Sequence, residues 1–146
     1  FKEVPFHPER AVDKAQEKTI RVVLVEPGKQ TRTAEIGASL EALQRTVGGS
    51  IEAYYPFAEQ VCIVCNEEGK INGLPLNRAI RDEDTGEIID IIAGTFFICD
   101  CSGESFGSLS QEQQKRYLEK YRLPERFFRI GENIEAVPYR PKERER

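Results

Sequence analysis

The chain has no methionine and no tryptophan, and its only histidine is His7. Each scarcity removes a class of chemistry. With the lone imidazole between Pro5 and Pro8, the body of the chain cannot build serine–histidine or cysteine–histidine nucleophiles or histidine-ligated metal sites. His7 itself reads as a solvated residue of an arm. Long apolar runs are also missing. "VVLV", "VCIVC" and "IIDIIAGTFFIC" are strand-sized or interrupted, well short of the ~20 residues a membrane helix needs. The opening from Phe1 shows no basic-then-apolar leader, so the expected location is cytoplasmic, and the chain reads as a fragment or processed product. Four cysteines in that setting do not suggest a disulfide framework.

Positive charge is scarce in the middle of the chain. Residues 1–51 carry 8 Lys and Arg against 7 Asp and Glu, residues 52–104 carry 3 against 11, and residues 105–146 carry 10 against 7. So acidic a centre is a poor surface for phosphate backbones, which need clustered Lys and Arg, and nucleic acid is not an expected partner. The basic tail "YRPKERER" alternates in sign and offers no stacking platform. A phosphate-cradling loop is absent as well. "VGGS" ends a helix and precedes a strand, the reverse of the order that aims backbone N–H groups at phosphate.

What is present is a set of short elements. "TIRVVLVE" is rich in β-branched residues and stops at the turn "PGK"; "TRTAEI" then alternates, so the two form a hairpin. "ASLEALQRTVGG" is a helix with Ser39 as N-cap, Leu40, Leu43 and Val47 at helical spacing, and Gly48 to end it. "SIEAYYPF" and "VCIVC" are strands, the latter followed by a turn in which Gly69 is expected to take positive φ. "INGLPLNRAIRDEDTGE" is polar and reads as an irregular loop. "IIDIIAGTFFICD" is one strand kinked at Gly94 or two strands meeting there. A second helix begins at Ser110 with a capping box to Gln113, turns Tyr117, Leu118 and Tyr121 inward, and stops at Pro124.

This order lacks strand–helix–strand alternation and defines an α+β fold, a mostly antiparallel sheet of about five to seven strands covered by two helices at about 39–47 and 110–122. The expected organisation is a polar arm or linker over residues 1–19, a single domain over 20–130 and a charged tail over 131–146.

Three groups of residues are candidates for chemistry. Cys62, Cys65, Cys99 and Cys101 could form a four-thiolate zinc site, but Ile63 and Val64 favour extended backbone that turns Cys62 and Cys65 to opposite faces. The favoured reading is buried thiols acting as small apolar residues, with no metal and no cofactor. "RDEDTGE" lacks the ligand spacing of a calcium loop and reads as a turn. Tyr54, Tyr55 and Phe57, with Asn66, Asn72, Asn77 and Arg78 in the irregular loop, suit recognition of a small anionic or planar ligand, or of a protein surface.

The strings "VEPGK", "GASLEALQRTVGGSIEAYYPF", "VCNEEGKINGLPLNRAI" and "GEIIDIIAGTFFICD", in this order, resemble the family called domain of unknown function 3846, from roughly Ile20 to Tyr121. The resemblance implies small proteins encoded by bacteriophages and by conjugative or integrated elements. It implies a setting and no reaction. The expected function is that of a non-catalytic accessory protein that binds a host protein or a small nucleotide-like molecule, with a possible anti-defence role. The alternative is a histidine-free, metal-assisted enzyme on a nucleotide or protein, using Glu67, Glu68 or Asp90. A monomer and a homodimer are both compatible with the pattern, since "AYYPF" or "IIDIIAGTFFIC" could offer a sheet edge.

Overall fold

The computed structural model describes residues 18–141. The arm expected over residues 1–19, His7 included, lies outside the described residues except at its end, where Thr19 already belongs to the first strand. Nine strands and two helices are described.

The central layer is a five-stranded antiparallel sheet in the order β2-β1-β7-β4-β3. Its members are β1 (Thr19–Val25), β2 (Arg32–Gly37), β3 (Ile51–Tyr54), β4 (Val61–Asn66) and β7 (Phe96–Asp100). The α+β expectation is borne out. The three inner strands are covered on both faces, which explains why they read as continuous apolar runs instead of alternating ones. Ile20, Val22, Leu24, Cys62, Val64, Phe97 and Cys99 point to one face. Helix α1 (Leu40–Val47) covers that face with Leu43 and Val47. Ser39 caps α1, accepting from the Ala42 N–H at 3.0 Å, and Gly48 ends it at φ 83°.

Val23, Val25, Val61, Ile63, Cys65, Phe96 and Ile98 point to the other face. There they meet Ile80 and Ile92 of the hairpin β5 (Leu76–Arg81) and β6 (Ile88–Ala93), and Tyr117 and Tyr121 of α2 (Gln111–Lys120) and its C-cap. The Ser110–Gln113 capping box starts α2 as the sequence predicts. The outer side of β5–β6 is covered in turn by a third hairpin, β8 (Glu125–Ile130) and β9 (Asn133–Pro138), through Phe127 and Ala136 against Ala79 and Ile91.

Three readings need correction, and one open alternative is resolved. "INGLPLNRAIR" is not wholly irregular, because its second half is β5, paired with β6 from Leu76↔Ala93 to Arg81↔Ile88. The tail assigned to 131–146 is in part β9, and the domain boundary at 130 cuts a hairpin closed by Gly131 at φ 63°. Gly69 does not have positive φ; it is needed because a Cβ there would sit 2.6 Å from the Ala93 carbonyl oxygen. Gly94, at φ 87°, separates β6 and β7 into different sheets, which settles the choice between one strand and two.

Helix α2 is fastened through Glu59, in the loop between β3 and β4. Its carboxylate accepts from Tyr117 Oη at 2.5 Å, from Gln113 Nε2 at 3.2 Å and from the Arg116 guanidinium. The Tyr117 hydroxyl foremost, then the Gln113 and Arg116 donors, hold Glu59 below its ordinary value against the opposing effect of burial. A depressed carboxylate stabilises the fold above its unfolded value and loses that contribution as pH falls through the folded one. Glu59→Gln is therefore expected to lower stability at neutral pH and to flatten the acid limb of the melting-temperature profile below about pH 4.5. Thermal melts of both proteins from pH 7 to pH 3 check this.

Candidate functional site

The seven residues singled out in the sequence do not converge. Asn77 and Arg78 lie on β5 with 1% and 0% exposure, so neither faces a ligand. Asn77 donates to the carbonyls of Val25 at 2.9 Å and Gly94 at 2.8 Å, and its Oδ1 accepts from Arg78 Nη1 at 2.9 Å. Arg78 donates from Nε to the Tyr121 carbonyl at 3.1 Å and from Nη2 to the Lys29 carbonyl at 2.7 Å. Burial lowers its affinity for the proton, with the nearby Glu125 carboxylate acting in the opposite sense. The pair ties β1, β5, the β6–β7 junction and the end of α2 together. It is architecture.

Asn66 is likewise buried, donating to the Val47 carbonyl at 3.2 Å and accepting from the Glu68 N–H at 2.8 Å, so it joins the end of α1 to the turn after β4. Tyr54 and Phe57 pack towards α2, with the Phe57 ring 4.8 Å from that of Tyr117. Tyr55 packs on the opposite face, where burial, reinforced by neighbouring thiols, pushes its hydroxyl up to about 12. Asn72 is exposed in the turn before β5.

The thiols divide as the extended Ile63–Val64 spacer requires. Cys62 and Cys99 are directly opposite each other on β4 and β7, with their sulfurs 4.0 Å apart. Cys101 packs beside them, whereas Cys65 belongs to the other face of the sheet. One ion with ~2.3 Å bonds to sulfur cannot reach through the sheet to all four. Burial pushes Cys65 and Cys101 each up to about 12. The Cys99 hydrogen bond, then burial, pushes Cys62 up still more strongly.

The concave surface lies elsewhere, along the outer edge of β6. A groove of about 790 Å³ runs between Gly86–Ile91 and the segment Glu132–Glu135, the turn into β9 and its first residues. A second cleft of about 230 Å³, walled by Cys65, Ile92 and Ala93 and rimmed by Glu52, Glu67 and Glu68, adjoins it through Lys70, which lines both. Ile89 and Ile134 are 50% and 40% exposed in the groove. Among the described residues, β6 pairs only with β5. The Ala79 N–H turns away from β6 to meet Glu125 Oε1 at 2.8 Å, and in an antiparallel pair its partner Ile91 must likewise point outward. The Ile91 N–H is met there by Asp90 Oδ1 at 2.7 Å, and the same oxygen accepts from Lys70 Nζ at 2.8 Å.

Glu67, Glu68 and Asp90, the carboxylates of the enzyme alternative, therefore line two neighbouring depressions. Asp90 is engaged by Lys70, and among the described residues no three His, Cys, Asp or Glu side chains are grouped to hold a metal. Burial raises Glu52 above its ordinary value, with Glu67 and Asp90 adding to the effect. The sequence carried one signal for this place, the excess of acid over residues 52–104, but nothing that located it on a strand edge.

A layered α+β domain with an acidic groove beside an open strand edge is the class that fold and site define. The chain belongs to the family described as "Domain of unknown function (DUF3846)", which matches residues 20–122. No curated protein and no solved structure matches it. Among the described residues no helix is long and apolar enough to cross a membrane.

Proposed function

We propose that the protein is a non-catalytic binding module that takes up an extended segment of a partner protein along the outer edge of β6, the segment alternating apolar and basic side chains. The observation that carries this reading is the unpaired edge of β6 beside a groove with isoleucines on its surface and carboxylates on its rim. An added strand gains main-chain hydrogen bonds from the edge and specificity from alternate side chains. Ile89 and Ile134 supply apolar contact, and Glu87, Glu132 and Glu135 supply charge complementary to Lys or Arg. The same carboxylates disfavour an anionic or nucleotide-like ligand. Asp90, held by Lys70, shields the Ile91 amide from indiscriminate pairing, as charged residues on natural sheet edges do. A basic side chain on the incoming strand would compete for Asp90 and free that amide.

The setting implied by the family resemblance makes a cytoplasmic host protein the natural partner of an element-borne accessory protein, and interference with a host defence its natural use. Selection from a random peptide display library tests the chemistry without presuming the partner. Enriched peptides should alternate apolar with Lys or Arg and protect the β6 amides from hydrogen exchange. They should lose roughly tenfold or more in affinity to Ile89→Asp. Enrichment of acidic peptides, or binding indifferent to Ile89→Asp, would reject the reading.

A further inference from the structure

We propose that Cys62, Cys99 and Cys101 form a thiol relay that a hydroperoxide converts into a Cys62–Cys99 disulfide, with Cys101 as the point of entry. The three thiols share one face of the central sheet, and nothing in the binding reading employs them. Cys62 and Cys99 are register partners at the middle of the sheet, both fully buried, with sulfurs 4.0 Å apart. Directly opposed residues of an antiparallel pair have Cα atoms ~4.5–5.5 Å apart, inside the ~4.4–6.8 Å range of disulfides. Cys101 follows β7, is partly exposed, and packs against the cluster that holds Cys62 and Cys99. Its amide bonds to the Gln60 carbonyl at 3.1 Å, so it sits diagonally from Cys62. Diagonal Cα atoms are ~7–8 Å apart, which makes a Cys62–Cys101 bond a strained intermediate and not an end point.

The steps balance. The Cys101 thiolate attacks a peroxide oxygen; the S–O bond forms, the O–O bond breaks, and the peroxide is reduced to an alcohol, or to water for hydrogen peroxide. Cys62 then attacks the Cys101 sulfenic acid, forming S–S and releasing water. Cys99 attacks the Cys62 sulfur, and Cys101 leaves as a thiolate that takes up a proton. In sum, two thiols and one hydroperoxide give one disulfide, one alcohol and one water, and Cys101 is regenerated. Burial foremost, with Cys62 and Asp100 beside it, holds the Cys101 thiol up to about 12. A thiol held that high reacts at neutral pH only through its small thiolate fraction.

The experiment exposes the fully reduced protein to hydrogen peroxide, caps remaining thiols after unfolding, and maps linkages by fragmentation mass spectrometry. The wild-type chain is expected to lose two of its four thiols to a Cys62–Cys99 link and to gain roughly 5–10 °C in melting temperature. Cys101→Ala should slow the link roughly tenfold or more because the buried pair loses its exposed entry. Cys99→Ala should stop at a Cys62–Cys101 disulfide. Sulfinic Cys101 with Cys62 and Cys99 still free would overturn the relay. A link through Cys65, or an undiminished rate in Cys101→Ala, would overturn it as well. The wild-type map decides even where a variant does not fold.

Discussion

Arg78→Met lowers the unfolding free energy by about 3–5 kcal/mol, the cost of breaking a buried charged network by removing one member. The guanidinium is fully buried and serves the carbonyls of Tyr121 and Lys29 and the Asn77 side chain. Without it, the buried Asn77 Oδ1 and the part-buried Lys29 carbonyl lose a donor at ~1–3 kcal/mol each, and the Tyr121 carbonyl is left to Thr31 Oγ1, partly offset because the charge no longer has to be desolvated. Arg78→Lys recovers little, since an ammonium on a flexible stem cannot span acceptors on both sides of a planar fork. Urea denaturation measures both variants. An Arg78→Met protein within 1 kcal/mol of wild type would mean that the network is incidental.

Phe97→Ala has a comparable effect, about 3–5 kcal/mol, for a different reason. Phe97 lies on β7 between β1 and β4, fully buried in the cluster that also holds Leu43, Val22 and Val64. Phe128→Ala is the matched control. That ring is 50% exposed on the outer hairpin, and its removal should cost under ~1 kcal/mol. Since a domain of this size is stable by only ~5–15 kcal/mol, Phe97→Ala should be partly unfolded at 37 °C while Phe128→Ala remains folded. Near-ultraviolet circular dichroism against temperature separates them, and equal melting points would refute the burial argument.

The inner strands and both helices were legible because local signals agreed with the global arrangement. Ser39 and Gly48 bracket α1, Ser110 and Gln113 start α2, and β-branched runs mark β1 and β4. Strand β5 was hidden for the opposite reason. Asn77 and Arg78 are polar residues turned inward on a strand, so the apolar pattern that identifies strands is broken where the structure needs hydrogen-bond donors. The last hairpin carried a usable signal, Gly131-Glu132 between "RFFRI" and "NIEAV", masked by the charges on either side. For the candidate site, side-chain chemistry was visible and placement was not. Aromatics and amides in an apparently loose stretch suggested a ligand, yet all but the exposed Asn72 are used in packing or internal hydrogen bonds. The groove depends on β6 having a free edge, which follows from strand order, and local sequence does not encode strand order.

The junction at Gly94 has a mechanical consequence. Strand β6, on which a partner would be held, passes through Gly94 and Thr95 alone into β7, which is locked between two neighbours in the middle of the main sheet. A pull exerted through a captured chain would thus be delivered to the best-anchored strand of the molecule, and the hold could outlast traction that would peel off an element tethered at the periphery.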